Sequence, residues 1–135
     1  MANTGEDIRP GIADGTPLSG QHAVVTGAGR GIGAAIASLL GRMGADLTLM
    51  GRDAGRLTAG RDALRATSPG RIEAVSVDIS NEDSVAKGFD AAAASLGPPS
   101  ILVNNAGIAG SAPFHRAKPD QWRQMMDVNV LGTVL

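Results

Sequence analysis

Short apolar runs alternate along this chain with longer segments in which apolar residues recur every three or four positions. The runs predict four buried strands, at Gln21–Thr26, Asp46–Met50, Ile72–Val77 and Ile101–Val103. The other segments predict helices at Ile32–Arg42, Asp53–Ala66, Asn81–Leu96 and from near Pro119 onward. Because strands separated by helices of this length pair in parallel, the pattern predicts an α/β fold.

The helical segments also predict which side chains face the sheet. Asp53 is expected to cap the second helix, and Ser80 or Asn81 the third. The expected inward faces are Ile32, Ile36, Leu39, Leu40 and Met43 in the first helix, Leu57 and Leu64 in the second, and Val85, Phe89, Ala92 and Leu96 in the third.

Composition narrows the class of protein. The 135 residues suffice for one domain, and a formal net charge of −1 argues against nucleic-acid or membrane-surface binding through bulk charge. The chain has no cysteine, which excludes disulfides and thiolate metal sites and favours a reducing, cytoplasmic setting. The two histidines, His22 and His115, are too far apart in sequence to suggest a metal site.

Both ends of the chain have a distinct character. Residues 1–19 are polar, rich in Gly and Pro, and lack the apolar stretch of a signal peptide, so they are expected to form a flexible tail before a domain at 20–135. Residues 128–135 continue an apolar helical pattern without a cap. The domain is therefore expected to be cut within its fourth helix.

A glycine-rich run joins the first strand to the first helix. Residues 26–33 read Thr-Gly-Ala-Gly-Arg-Gly-Ile-Gly, with glycine at every second position from Gly27 to Gly33. Such a turn lets the backbone approach a bulky anion and presents free N–H groups at a helix start, where a pyrophosphate can bind. A tight turn without a ligand is the alternative. With this turn, the strand order should be 3-2-1-4, the first half of a doubly wound, Rossmann-like parallel sheet.

Three further signals lie where the same crevice is expected. Asn104-Asn105-Ala106-Gly107 follows the fourth strand directly, although Asn and Gly are also common turn formers. Asp78, followed by Ile79, closes the third strand and could accept from an adenine amino group or cap the third helix. Asn129 interrupts an apolar helix face and needs a polar partner, which nearby backbone could supply.

Together these segments resemble the short-chain dehydrogenase/reductase family over about residues 18–135. The family has Thr-Gly-x-x-x-Gly-x-Gly after the first strand, matched by Thr26–Gly33, and Asn-Asn-Ala-Gly after the fourth, matched by Asn104–Gly107. Its Asp at the end of strand three and its Asn in helix four are matched by Asp78 and Asn129. These versions of the motifs look most like 3-oxoacyl-carrier-protein and acetoacetyl-CoA reductases.

The resemblance implies a role for each matched residue. Asn129 would be the helix-four member of the catalytic tetrad, holding a kink and a water that relays protons. The cofactor-binding residues would be Thr26, Gly27, Gly31, Ile32 and Gly33 around the pyrophosphate, Asp78 and Ile79 beside the adenine, and Asn105, Ala106 and Gly107 along the ribose and central strand.

The end of the second strand indicates which nicotinamide cofactor fits. NAD-preferring relatives carry an acidic residue there, whereas this chain has Gly51 followed by Arg52. A guanidinium pairs with a 2′-phosphate that a carboxylate would repel, and Arg30 could add a second contact. We therefore expect NADP(H) rather than NAD. The alternative for Arg52 is a solvated surface charge.

The implied activity is hydride transfer between NADP(H) and a small carbonyl or alcohol substrate, such as a 3-oxoacyl thioester. The family uses a Ser and a Tyr-x-x-x-Lys pair for the proton, and this chain contains no tyrosine. The 135-residue chain alone is therefore expected to be inactive, and its full-length form is expected to be a homodimer or homotetramer. A non-catalytic nucleotide-binding or interaction module is the alternative function.

Overall fold

The computed structural model describes residues 15–135. Its centre is one four-stranded sheet made of β1 (His22–Thr26), β2 (Asp46–Gly51), β3 (Ile72–Ser76) and β4 (Ile101–Val103). All neighbouring strands are parallel and lie in the order β3-β2-β1-β4. The predicted α/β class and the predicted strand order are thus confirmed.

Helices connect the strands as the apolar spacing predicts. They are α1 (Gly31–Arg42), α2 (Ala54–Arg65), α3 (Glu82–Leu96) and α4 (Pro119–Met126). A single 3₁₀ turn, Phe114–Arg116, precedes α4, and a π-helical segment, Asp127–Leu131, and a last α turn, Gly132–Val134, follow it. Asp53 and Asn81 cap α2 and α3 by accepting hydrogen bonds from the N–H groups of Arg56 and Ser84.

The face that α1 turns to the sheet confirms the prediction for Ile36 and Leu40, which pack against the core, and differs from it elsewhere. Ile32 and Leu39 are 74% and 51% exposed, and the buried positions of α1 are Gly33, Ala37 and Gly41. These small residues, four positions apart, let the helix axis approach the sheet closely; a Cβ added to Gly41 would lie 3.1 Å from Leu47 Cδ1. Small residues therefore form the centre of this contact, and the larger Ile36 and Leu40 pack beside them.

Polar contacts fix the amino-terminal edge of the sheet. The buried His22 ring lies 2.7 Å from the Gly97 carbonyl through Nδ1 and 2.9 Å from Thr48 Oγ1 through Nε2. Arg71 donates to Asp46 with its backbone N–H, Nε and Nη2. Partial burial raises the pKa of Asp46, but the hydrogen bonds and positive charge of Arg71 outweigh it and leave that pKa below its usual value.

The two margins of the described chain also bear on the predictions. Residues 1–14 of the predicted tail lie outside the described residues. Leu18, which also belongs to the predicted tail, donates its N–H to the Met43 carbonyl and packs against the core. At the other margin β4 pairs with β1 only, so its apolar side chains form a sheet edge where Leu102 is half exposed. No helix within residues 15–135 has the length and apolarity needed to cross a bilayer.

Candidate functional site

A cavity of about 730 Å³ opens at the carboxyl ends of the strands, beside the neighbouring strands β1 and β4, where the strand order reverses. Ligands of doubly wound sheets bind at this reversal point. All the predicted cofactor residues except Thr26 and Gly33 line the cavity: Gly27, Arg30, Gly31, Ile32, Arg52, Asp78, Ile79, Asn105, Ala106 and Gly107. The fold therefore brings together residues that are up to 80 positions apart in sequence, as in the contact between Thr26 and Ala106.

The glycine turn has a backbone that other residues would strain. Gly27 and Gly31 have φ angles of +65° and +58°. The turn is held to β2 because Ala28 donates its N–H to the Met50 carbonyl at 3.1 Å. Arg30 precedes α1 without a capping side-chain bond, and the first residues of α1, Gly31 and Ile32, line the cavity.

Gly33 is required for a close approach between backbone segments. A Cβ at this position would overlap the Gly27 carbonyl oxygen and lie 2.5 Å from Asn105 Nδ2. The small size of Gly33 therefore lets α1, the glycine turn and the loop after β4 meet at one point. Gly33 does not line the cavity itself, but it allows the segments that do line it to pack closely together.

A hydrogen-bonded lock joins the two lips of the cavity. The Thr26 hydroxyl accepts from the N–H groups of Asn105 at 3.1 Å and Ala106 at 3.0 Å. In the opposite direction, Asn105 Nδ2 donates to the carbonyl of Thr26 at 3.1 Å and to that of Gly27 at 3.3 Å. Asn104-Asn105-Ala106-Gly107 is thus more than a turn, because its central residues bond directly to the glycine turn.

Asp78 presents an ionised carboxylate to the cavity. Its Oδ1 accepts from the Ser80 hydroxyl at 2.7 Å and from the Ser80 N–H at 3.0 Å. The Ser80 hydrogen bonds, with a smaller contribution from the positive charge of Arg52, lower the pKa of Asp78. The alternative in which Asp78 caps α3 is wrong, because Asn81 occupies that position.

Two arginine side chains that line the cavity form no ion pair among residues 15–135. Arg30 and Arg52 both line it, Arg52 at the end of β2, and neither belongs to a described salt bridge. Asp53, the acidic residue nearest the end of β2, is instead engaged by Arg56. The charge at this end of the cavity is therefore suited to an anionic group.

Asn129 lies in the π-helical segment and holds the loop that borders the cavity. Its Oδ1 accepts from the Ile108 N–H, and its Nδ2 donates to the Ile108 carbonyl, both at 2.8 Å. The predicted backbone partner is therefore present, although the Asn129 side chain is exposed instead of buried in an apolar face. Asn129 does not line the cavity itself; Gly107 and Ile108 do.

Arg56 and Ile108 are among the cavity-lining residues to which sequence reasoning assigned no site role. Arg56 lies one turn into α2, and its spacing of three from Asp53 was a usable signal. Ile108 contributes through its backbone, which leaves no trace in residue type. Among residues 15–135 no group of three or more His, Asp and Glu side chains is placed to hold a metal ion.

A family model and several known proteins match this chain over most of its length. The family model described as short chain dehydrogenase matches residues 21–135. Gluconate 5-dehydrogenase of Gluconobacter oxydans is 40% identical over 113 residues, which cover 84% of this chain and 44% of that protein. An uncharacterised oxidoreductase of Staphylococcus aureus is 36% identical over 119 residues, covering 88% of this chain and 50% of its own. The chain thus spans about half the length of these relatives.

Solved structures of oxidoreductases also match the fold of this chain. A metagenomic short-chain oxidoreductase in complex with NADP has a TM-score of 0.80 and 42% identity, over 87% of this chain and 53% of that one. The L-sorbose reductase of Gluconobacter frateurii, complexed with NADPH and L-sorbose, has a TM-score of 0.83 and 31% identity, over 89% of this chain and 46% of that one.

Proposed function

This chain belongs to the short-chain dehydrogenase family, and from that premise we propose that it binds NADP(H) as the cofactor-binding part of an oxidoreductase. The observation that carries the proposal is the cavity beside β1 and β4, which is lined by the glycine turn and by two cations outside any described ion pair, Arg30 and Arg52. The whole protein would transfer hydride between NADP(H) and a carbonyl or alcohol substrate.

The residues present fit a dinucleotide. The glycine turn leaves space where side chains would otherwise fill the cavity: a Cβ added to Gly31 would meet no atom within 4 Å. N–H groups at the start of α1 supply donors and the positive end of the helix dipole for a pyrophosphate. Asp78, kept ionised by Ser80, provides an acceptor for an adenine amino group.

Charge supports NADP over NAD. Arg52 follows the last residue of β2, where a carboxylate would suit a ribose with two free hydroxyls, and Arg30 lies in the glycine turn beside the same cavity. Two guanidinium groups can bind a 2′-phosphate through charge-assisted hydrogen bonds. The described relatives solved with NADP or NADPH are consistent with this choice.

The residues of this chain bind and orient; they do not supply the catalytic acid. When bound, the nicotinamide would donate or accept the hydride, depending on the direction of the reaction. Asn129, the candidate tetrad residue, uses its side chain to hold Ile108 and so fixes both the loop beside the cavity and the π-helical segment. No tyrosine is present to exchange a proton with the substrate. We therefore expect no hydride transfer by the 135-residue chain alone.

The proposed substrate class rests on the names of the relatives, and the proposed assembly rests on exposed apolar residues of α4. Gluconate 5-dehydrogenase and L-sorbose reductase are named for polyhydroxylated compounds, a sugar acid and a ketose, whereas the motifs resemble those of 3-oxoacyl thioester reductases. A carbonyl–alcohol pair is the chemistry these classes share. The half-exposed Trp122 and Met126 on α4 support a homodimer or homotetramer of the whole protein, and the lack of cysteine supports a cytosolic setting.

Titration of the purified chain with NADPH and with NADH, followed by nicotinamide fluorescence, tests the proposal. NADPH should bind more tightly than NADH. Binding of neither at millimolar concentration would contradict it, and equal affinity would contradict the NADP preference. The same samples, supplied with a 3-oxoacyl thioester or a keto sugar, should not oxidise NADPH; turnover would contradict the expected inactivity. The alternative module without catalysis requires nucleotide binding together with inactivity of the whole protein.

A further inference from the structure

Five charged side chains line the cofactor cavity, and only some of their charges are available to a ligand. They are Arg30, Arg52, Asp53, Arg56 and Asp78. Asp78 is engaged by Ser80, and Arg30 and Arg52 take part in no described ion pair. Asp53 differs from the two arginines, because a carboxylate two residues beyond β2 should oppose the binding of a 2′-phosphate.

Arg56 engages both oxygens of the Asp53 carboxylate. Its backbone N–H donates to Asp53 Oδ1 at 3.0 Å, and its Nε lies 3.3 Å from Asp53 Oδ2. The side chains are 55% and 57% exposed, so the pair is accessible from the cavity and partly screened by water. The carboxylate is thus held along the first turn of α2 and its charge is offset by its own partner.

The position of Arg56 ties this pair to the glycine turn. Its Cβ would lie 3.5 Å from a Cβ added to Gly29, and both residues line the cavity. A second pair on the same helix, Asp62 and Arg65, has the same spacing of three residues and an N–O distance of 3.8 Å but lies outside the cavity. Arg61 also contacts Asp62, and Arg65 also donates to the Ile72 carbonyl. Arg65 therefore serves as a control for the loss of a half-exposed arginine on α2 that has no access to the ligand.

We propose that the Arg56 side chain is a positioning group for cofactor choice, which acts by engaging Asp53 Oδ2 and offsetting the charge of that carboxylate, while the backbone N–H of residue 56 binds Oδ1. Engaged in this way, Asp53 neither accepts from the ribose hydroxyls nor repels a 2′-phosphate bound by Arg30 and Arg52. Without the Arg56 side chain, Asp53 Oδ1 still caps α2, but Oδ2 and its charge become available to the ribose hydroxyls, which favours NAD. This inference rests on the proposed NADP(H) function.

Two small probes isolate the effect. Adenosine 2′,5′-bisphosphate and adenosine 5′-monophosphate differ only in the 2′-phosphate, and their affinities for the 135-residue chain can be measured by calorimetry. The variants are Arg56→Gln, the double variant Asp53→Asn with Arg56→Gln, and Arg65→Gln as the matched control. Circular dichroism checks that each variant is folded; Arg56 and Arg65 are both exposed, so folding should be unchanged.

Arg56→Gln should lower the preference for the bisphosphate by about three- to fivefold, the size expected for one exposed charge. Affinity for the monophosphate should stay the same or rise, an outcome that general damage to the fold would not produce. Adding Asp53→Asn should restore the preference to within about twofold of the wild type, because the two effects are coupled. Arg65→Gln should change neither affinity.

An unchanged preference in Arg56→Gln would overturn the inference while leaving the proposed function intact. A preference that stays low in the double variant would also overturn it, since Arg56 would then act on the phosphate without Asp53. Equal losses for both probes would assign Arg56 a purely structural role. If the wild-type chain binds neither probe nor NADPH, the proposed function itself fails.

Discussion

Asn129 and Ile108 form a two-bond clamp in which one side-chain amide satisfies both backbone groups of the loop residue, each at 2.8 Å. The clamp joins the π-helical segment Asp127–Leu131 to the loop that follows β4. Because Ile108 lines the cofactor cavity, the conformation of this helical segment is coupled to the cavity wall. A single polar residue in an apolar stretch therefore links two parts of the site.

Replacing Asn129 with Ala should release this loop. Both backbone groups of Ile108 would lose their partner, and the free energy of unfolding should fall by about 1–2 kcal/mol, the net value of two hydrogen bonds. Hydrogen exchange at the Ile108 amide should accelerate. Asn104→Ala is the control, since the Asn104 amide reaches its partner, the Thr133 carbonyl, only at 3.5 Å. Unchanged protection of the Ile108 amide in Asn129→Ala would contradict the clamp.

Gly33→Ala should damage both stability and cofactor binding. The added methyl group would overlap the Gly27 carbonyl and crowd Asn105 Nδ2, so the glycine turn and the loop after β4 must separate. Overpacking of this kind costs about 1–3 kcal/mol. Urea unfolding and NADPH titration measure the two effects. In the control Gly29→Ala, the new methyl group would lie 3.5 Å from Arg56 Cβ, an ordinary contact. Because Gly29 itself lines the cavity, it is a control for stability alone, and an equal free energy of unfolding in the two variants would contradict this account.

The periodicity of apolar residues was sufficient to predict the strands and most of the helices, and the glycine turn was needed to predict the strand order. For α1 the periodicity was right for Ile36 and Leu40 but missed the buried Gly33, Ala37 and Gly41. Hydrophobicity identifies inward faces only when burial favours large side chains. Where helix and sheet approach closely, small residues take those positions and Ile32 is left exposed.

The candidate site was predictable where residue type determines chemistry, as for the glycines, Arg52 and Asp78. It was not predictable where the partner is backbone. Nothing in residue type marks Ile108 as the partner of Asn129, and Thr26 has three backbone partners, at Val103, Asn105 and Ala106. Such contacts depend on how distant segments meet in three dimensions.

Arg52→Asp should convert the cofactor preference. Reversing the charge at the end of β2 replaces an attraction for the 2′-phosphate with repulsion, so the affinity for NADPH should fall by about tenfold or more while that for NADH changes little. Fluorescence titration with both cofactors measures the ratio. Arg116→Asp makes the same charge reversal on an exposed residue outside the cavity and should leave the ratio unchanged. Equal weakening of both cofactors by Arg52→Asp would rule out the phosphate role.

The Asp46–Arg71 pair should make part of the fold's stability depend on pH. Because the pKa of Asp46 is lower in the folded chain than in the unfolded chain, its contribution is present above the ordinary carboxyl range, about pH 4, and is lost as the pH falls through the folded value. Asp46→Asn should therefore be less stable at pH 7 and lose less stability on acidification. Urea unfolding between neutral and acidic pH measures both slopes. The control Asp90→Asn removes an exposed carboxylate outside any described ion pair and should retain the wild-type slope; an equal slope in Asp46→Asn would show that Arg71 does not stabilise the ionised form.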